Sequence, residues 1–96
     1  MSVTGGIRLA THKSAIKRHR QSLARRERNR VVKGGIRKSI KRVHAAVEAG
    51  DVESARELLQ VAIVRLDKAA AKGVIHKNNA ARRKSRLTRL VNRAAA

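Results

Sequence analysis

The chain has 96 residues, enough for one small domain with a modest hydrophobic core. Its 25 Lys and Arg stand against only 6 Asp and Glu, and the formal net charge of +19 calls for an anionic partner. Nucleic acid is the expected one, because a polyphosphate neutralises many charges through counterion release, whereas a small acidic ligand meets only a few.

The composition also excludes whole classes. Without Phe, Trp or Tyr there are no aromatic platforms for stacking bases, which argues against an RNA-recognition motif or an OB-fold. Without Cys there is no disulfide framework, thiolate zinc site or cysteine nucleophile. No segment approaches the ~20 apolar residues of a membrane span, and the first ten residues lack the pattern of a secretory signal, so the chain reads as cytosolic. An organelle transit peptide is disfavoured because the basic character persists to the last turn.

Proline is absent and apolar residues recur at spacings of three and four, which predicts an all-α chain. Gly5 and Gly6 suggest a flexible basic arm over residues 1–12, with the first helix starting within residues 11–14 and running to Ala49. Gly50, in a left-handed conformation, is expected to stop it, and Asp51 to cap a second helix that carries Glu53 in its first turn. Val52, Ala55, Leu59, Ala62, Leu66 and Ala69 form one stripe on that helix, widened by Leu58, Ile63 and Ala70, as suits packing on two neighbours. Lys72 and Gly73 close it. A third helix is expected from residues 76–78 to Arg93, burying Ala80, Leu87, Leu90 and Val91, with residues 94–96 as a tail. Residues 13–93 thus form one three-helix bundle domain with a long, highly basic amino-terminal helix projecting beyond it.

The first helix divides into two unlike halves. Ile36, Ile40, Val43 and Val47 share a narrow stripe and belong to the core. In the first half Ile16 and Leu23 point away from that seam, and Lys17, Arg18, Arg20, Arg25, Arg26, Arg28 and Arg30 surround the cylinder. A helix basic on every side has no face with which to pack on protein. Between the halves, Gly34 and Gly35 leave two readings open, a kink or an undistorted helix.

Charge is unevenly spread, with net values of +13 over residues 1–47, −3 over 48–67 and +9 over 68–96. A solvated face normally mixes signs, yet residues 68–96 have no acid and residues 1–47 only Glu27. The middle segment therefore faces away from phosphate. Backbone contacts by Lys and Arg supply affinity without reading sequence, and a helical reader recognises the shape of folded RNA better than its base edges.

Other candidates reduce to structural roles. The four histidines do not form a pair with a nearby carboxylate, so no metal site is expected. His44 reads as a boundary residue, and His76 either reaches phosphate, the favoured role, or caps a helix. The serines lack His and Asp partners for nucleophilic catalysis, and Glu48, Asp51, Glu53 and Glu57 read as cap and solubility residues. No glycine pattern resembles a nucleotide-binding loop. Neither catalysis nor a cofactor is expected.

Specific motifs sharpen this reading. They are Lys13, Ser14 and Ala15 followed by Lys17, Arg18, Gln21 and Ser22; then Glu48, Ala49, Gly50 and Asp51. The most specific is Lys72, Gly73, Val74, Ile75, His76, Lys77 and Asn78 running into Ala80, Ala81, Arg82, Arg83, Lys84, Ser85, Arg86 and Leu87. Over residues 10–93 the chain resembles the bacterial small-subunit ribosomal protein twenty family. The resemblance implies a three-helix protein bound directly to 16S ribosomal RNA near the base of the small (30S) subunit, entering assembly early and making few protein contacts. By position it implies that Lys13, Ser14, Lys17 and Arg18 line the RNA, as do His76, Lys77, Asn78, Arg82, Arg83 and Lys84. The basic residues Arg20, Arg25, Arg26, Arg28, Arg30, Lys72 and Arg86 complete the expected RNA-binding set. The chain departs from the family in its arm before Ala10, in Thr11 or His12 where an Asn is usual, and in Gly34 and Gly35.

Two rivals are a histone-like DNA-compacting protein and a cationic membrane-surface helix. The first usually needs a dimer seam or a minor-groove wedge, for which no spare apolar patch is visible. The second needs a continuous apolar face, and Ile16 and Leu23 are too few.

Overall fold

The computed structural model describes the backbone of residues 2–96 and the side chains of residues 13–96. Three helices follow in order: α1 (Ser2–Glu48), α2 (Val52–Ala71) and α3 (Lys77–Ala95). The chain divides into two units, residues 1–30 and 31–96. The first unit is supplied by α1, and the second comprises the rest of α1 with α2 and α3.

Both turns in the second unit follow from local chemistry. At the end of α1, Gly50 takes φ +74°, its N–H donates to the Val47 carbonyl, and the Asp51 N–H donates to the Ala46 carbonyl. Gly73 repeats the arrangement at the end of α2 with φ +76°, its N–H on the Ala70 carbonyl and that of Val74 on the Ala69 carbonyl. This pair of bonds satisfies carbonyls that the helix end would otherwise orphan, and the positive φ favours glycine. α2 starts where Asp51 accepts from the backbone N–H of Ser54 at 3.2 Å and from its hydroxyl at 2.8 Å.

The core joins Ile36 and Val43 of α1, Ala55, Leu59, Ala62, Leu66 and Ala69 of α2, and Ala80, Leu87 and Val91 of α3. These are the stripes expected from the sequence, since burial of apolar surface at ~25 cal/mol per Å² selects that face of each helix. Ile40, Val47 and Leu58 are half-buried around them. Val52, at the start of the α2 stripe, is likewise half-buried. Leu90, expected in the core, is half-buried, because it lies about 80° around α3 from Ala80 whereas Leu87 and Val91 lie within about 20°. Ser39 is buried although polar; it stands four residues from Gly35, and these small residues share the α1 flank that Arg65 of α2 approaches.

α1 is uninterrupted through Gly34 and Gly35, and neither has a positive φ. A Cβ on Gly34 would meet nothing within 4 Å, whereas one on Gly35 would lie 2.7 Å from Nη1 of Arg65. Gly35 therefore makes room for the α2 guanidinium rather than a bend. The bounds of α1 begin upstream of the start expected within residues 11–14, since a helix extends by one hydrogen bond per residue until something stops it and no proline does. The side chains of the arm expected at residues 1–12 lie outside the described residues. α3 runs two residues past Arg93, into the expected tail.

Candidate nucleic-acid interface

Within the first unit, every described side chain from residue 13 to residue 28 is exposed. Lys13, Ser14, Lys17, Arg18, Arg20, Arg25, Arg26 and Arg28 belong to this stretch, Arg30 beyond it is also exposed, and at 100° per residue they point in every direction around α1. Among the described residues of this unit the only ion pair joins Arg30 to Glu27 at 3.9 Å, with both side chains largely exposed. An exposed pair of that kind contributes about 0–1 kcal/mol, so it leaves the surrounding positive potential almost intact. Several like charges sit three or four apart, among them Lys13 and Lys17, Lys17 and Arg20, Arg25 and Arg28, and Arg26 and Arg30, each pair destabilising an isolated helix by roughly 0.2–0.5 kcal/mol. This segment gains no free energy from a core and loses some to self-repulsion, and a polyanion reverses the second effect.

In the second unit the acids gather mainly on α2 and the turn before it. Glu48, Asp51 and Glu53 surround the α1–α2 turn, and Ser54 holds the Asp51 carboxyl below its ordinary value of 3.8, first through its hydroxyl and then through its backbone N–H. The opposite end, around residues 72–77, carries bases. Lys72 caps the end of α2, and Lys77 and Asn78, both exposed, open α3. His76 caps α3, its Nδ1 accepting from the Asn78 N–H at 3.1 Å. That bond fixes the tautomer with hydrogen on Nε2, so the ring caps the helix and still offers a donor outward. The alternative between cap and phosphate ligand posed by the sequence is thus not exclusive.

α3 presents its bases in two groups. Arg82, Arg86, Arg89 and Arg93 stand at spacings of four, three and four, all exposed, and make one continuous stripe on the side away from the core. Arg89 and Arg93 are absent from the expected set, although this spacing alone would have found them. Arg83 turns the other way, toward α1, and lines an open pocket of about 430 Å³ together with His76, Lys33 and Arg37. Asn79 stands at its edge, and Ile36, Val74 and Ile75 supply its apolar part. Lys33 and Arg37 were also not expected, since only the packing of α1 beside α3 brings them to His76 and Arg83.

Lys84 differs from its neighbours. Its Nζ lies 2.6 Å from Oδ1 of Asp67 on α2, a contact between residues 17 apart in sequence. Its charge is therefore offset in part within the protein. Among the described residues, no cluster of His, Asp and Glu has the makings of a metal site, and no helix is long and apolar enough to cross a membrane.

Comparison with known proteins matches residues 10–92 to the family described as ribosomal protein S20. The chain is 57% identical over 84 residues to small ribosomal subunit protein bS20 of Trichlorobacter lovleyi, and 52% identical over 84 residues to that of Geobacter metallireducens. Each match covers 88% of this chain and 97% of the relative. Similarity to the bS20 protein of Maridesulfovibrio salexigens is 53% over 87 residues, covering 91% of this chain and 100% of the relative.

Proposed function

The chain belongs to the ribosomal protein S20 family, and on that premise we propose that it is a small-subunit protein that binds 16S ribosomal RNA directly and supports its folding and assembly. The family is structural and non-enzymatic, and the protein is not an enzyme. Its relatives are named as proteins of the small ribosomal subunit. No cofactor or metal enters the mechanism.

The observation that carries the reading is the first unit: a helix whose described side chains up to residue 28 are all exposed, basic on every side, with a single acid. Such a helix lowers its free energy when phosphates surround it, because counterions are released and the repulsion between neighbouring Arg and Lys is relieved. In the second unit the stripe from Arg82 to Arg93 adds contacts along one line, a geometry suited to a single RNA backbone. With no Phe, Trp or Tyr to stack on and charge presented by helices, recognition rests mainly on the shape of folded RNA. The protein thereby draws together RNA segments on different sides of α1, which is how a small basic protein assists assembly.

Sedimentation of a lysate containing the tagged chain tests this. The chain should appear in the small-subunit and whole-ribosome fractions, resistant to deoxyribonuclease and lost on ribonuclease treatment. Sedimentation with chromosomal DNA would overturn it in favour of DNA compaction.

A further inference from the structure

The pocket between α1, the turn after α2 and the start of α3 has a chemistry that a bare phosphate contact does not need. Contacts to an exposed backbone are already provided by convex stripes such as that of Arg82, Arg86, Arg89 and Arg93. Here instead the surface is concave, at about 430 Å³, within the roughly 300–1,000 Å³ usual for sites that enclose a small ligand. It has room for one nucleotide and none for a duplex.

Its walls are of two kinds. Ile36 is buried, and Val74 and Ile75 are half-buried, so part of the lining is aliphatic. The turn at Gly73 creates this part, since the Val74 N–H bond to the Ala69 carbonyl folds Val74 back against the core. A phosphate gains nothing from such a surface, whereas a base or ribose does. Around it stand Lys33, Arg37 and Arg83, with no acid among the lining residues. Asn79 offers both a donor and an acceptor, and His76, with Nδ1 held by Asn78, offers Nε2–H. In a chain without Phe, Trp or Tyr, the planar guanidinium groups of Arg37 and Arg83 and the imidazole of His76 are the flat surfaces on which a base can stack.

We propose that this pocket takes one unstacked nucleotide of the bound RNA, its base or ribose against Ile36, Val74 and Ile75 and its phosphate on Lys33, Arg37 and Arg83. The proposal rests on the RNA-binding reading above and adds a point of local recognition to an otherwise electrostatic surface. Asn79 and His76 meet the polar edge of the base. The site binds an unpaired residue from a loop, bulge or junction, since a base inside a duplex cannot enter.

The test uses the full chain on 16S ribosomal RNA, with 2′-hydroxyl acylation read at each nucleotide under saturating protein. Three proteins are compared: wild type, Arg37→Gln with Asn79→Ala, and Arg89→Gln as a control that removes one charge outside the pocket. Wild type is expected to protect one unpaired nucleotide that regains its reactivity with the pocket variant while protection elsewhere persists. The pocket variant also loses about tenfold in affinity, the order of one good contact to a base edge. The control weakens binding without a nucleotide-specific change. Loss spread uniformly over the footprint, as in the control, or no loss at all would overturn the pocket while leaving RNA binding intact. Absence of any footprint from wild type would remove the RNA-binding reading, and the pocket with it. Ultraviolet crosslinking of the wild-type complex provides a measurement without variants. A crosslinked nucleotide on residues 74–79 supports the site, and crosslinks confined to residues 13–30 overturn it.

Discussion

Gly34 and Gly35 are adjacent in one helix, yet substitution by alanine should affect them differently. In a helix interior, Gly→Ala stabilises by roughly 0.5–1 kcal/mol, because alanine loses less backbone entropy on folding. At Gly34 the new methyl group meets nothing within 4 Å, so Gly34→Ala should realise the whole gain. For a unit of this size that raises the melting temperature by about 2–8 °C, at about 4–8 °C per kcal/mol. At Gly35 the methyl group would stand 2.7 Å from Nη1 of Arg65, so the guanidinium must move off α1 and the gain shrinks. Removing the obstacle restores it: Gly35→Ala should stabilise more in an Arg65→Ala background than in wild type. Thermal melts followed by circular dichroism, run as a double-mutant cycle, measure this coupling directly. If Gly35→Ala stabilises as much as Gly34→Ala, and Arg65→Ala does not alter its effect, the close approach of Arg65 to Gly35 is wrong. If Gly34→Ala lowers the melting temperature, the helix is not continuous there.

The other expectations test core, cap and charge. Leu66→Ala removes a fully buried side chain and should cost about 2–5 kcal/mol, a large share of the roughly 3–10 kcal/mol a unit of this size possesses, and abolish or greatly lower the cooperative melt in urea titrations. The folded-state carboxyl of Asp51 lies below its ordinary 3.8, so its cap contribution is fully present above 3.8 and disappears as pH falls through the lower folded value. Asp51→Asn, which still caps but does not titrate, should flatten that acid limb in pH-dependent melts. In salt titrations of RNA binding, replacing Arg82, Arg86 and Arg89 by Gln should lower the log–log slope by about 2–3, at roughly 0.7–0.9 per contact. Lys84→Gln should change it by less than any one of those arginines, because Asp67 already offsets part of that charge. Amide exchange should show residues 36–91 protected in free protein and residues 17–30 exchanging rapidly until RNA binds, since the latter bury almost nothing. Strong protection of residues 17–30 in the free monomer at moderate salt would contradict this.

The legible features were those decided locally. Gly50 with Asp51, and Gly73, announce helix ends because a positive φ and a capping carboxylate act within four residues. The core stripes of α2 and α3 were equally plain, since burial imposes a 3.6-residue period. Composition likewise exposed the unpaired charge of residues 13–30. Other features depend on residues far apart in sequence. Nothing near Lys84 distinguishes it from Arg83, yet one meets Asp67 and the other lines the pocket. Lys33 and Arg37 read as ordinary solvated bases until α3 is packed beside them. Gly34 and Gly35 left a kink and an undistorted helix equally open, and the role of Gly35 needed the position of Arg65. Arg89 and Arg93 were readable and overlooked, because motif resemblance ended at Leu87 while the helical stripe continued.

The most direct test of the central claim is competition for the purified chain between 16S ribosomal RNA and duplex DNA of equal phosphate content, at near-physiological salt. Binding to the RNA should be saturable and displaced by the DNA only at large excess, because charge on all sides of α1 matches a folded RNA enclosing it. Equal displacement by duplex DNA would show that charge alone governs binding, and would contradict the claim that the protein is built for folded RNA.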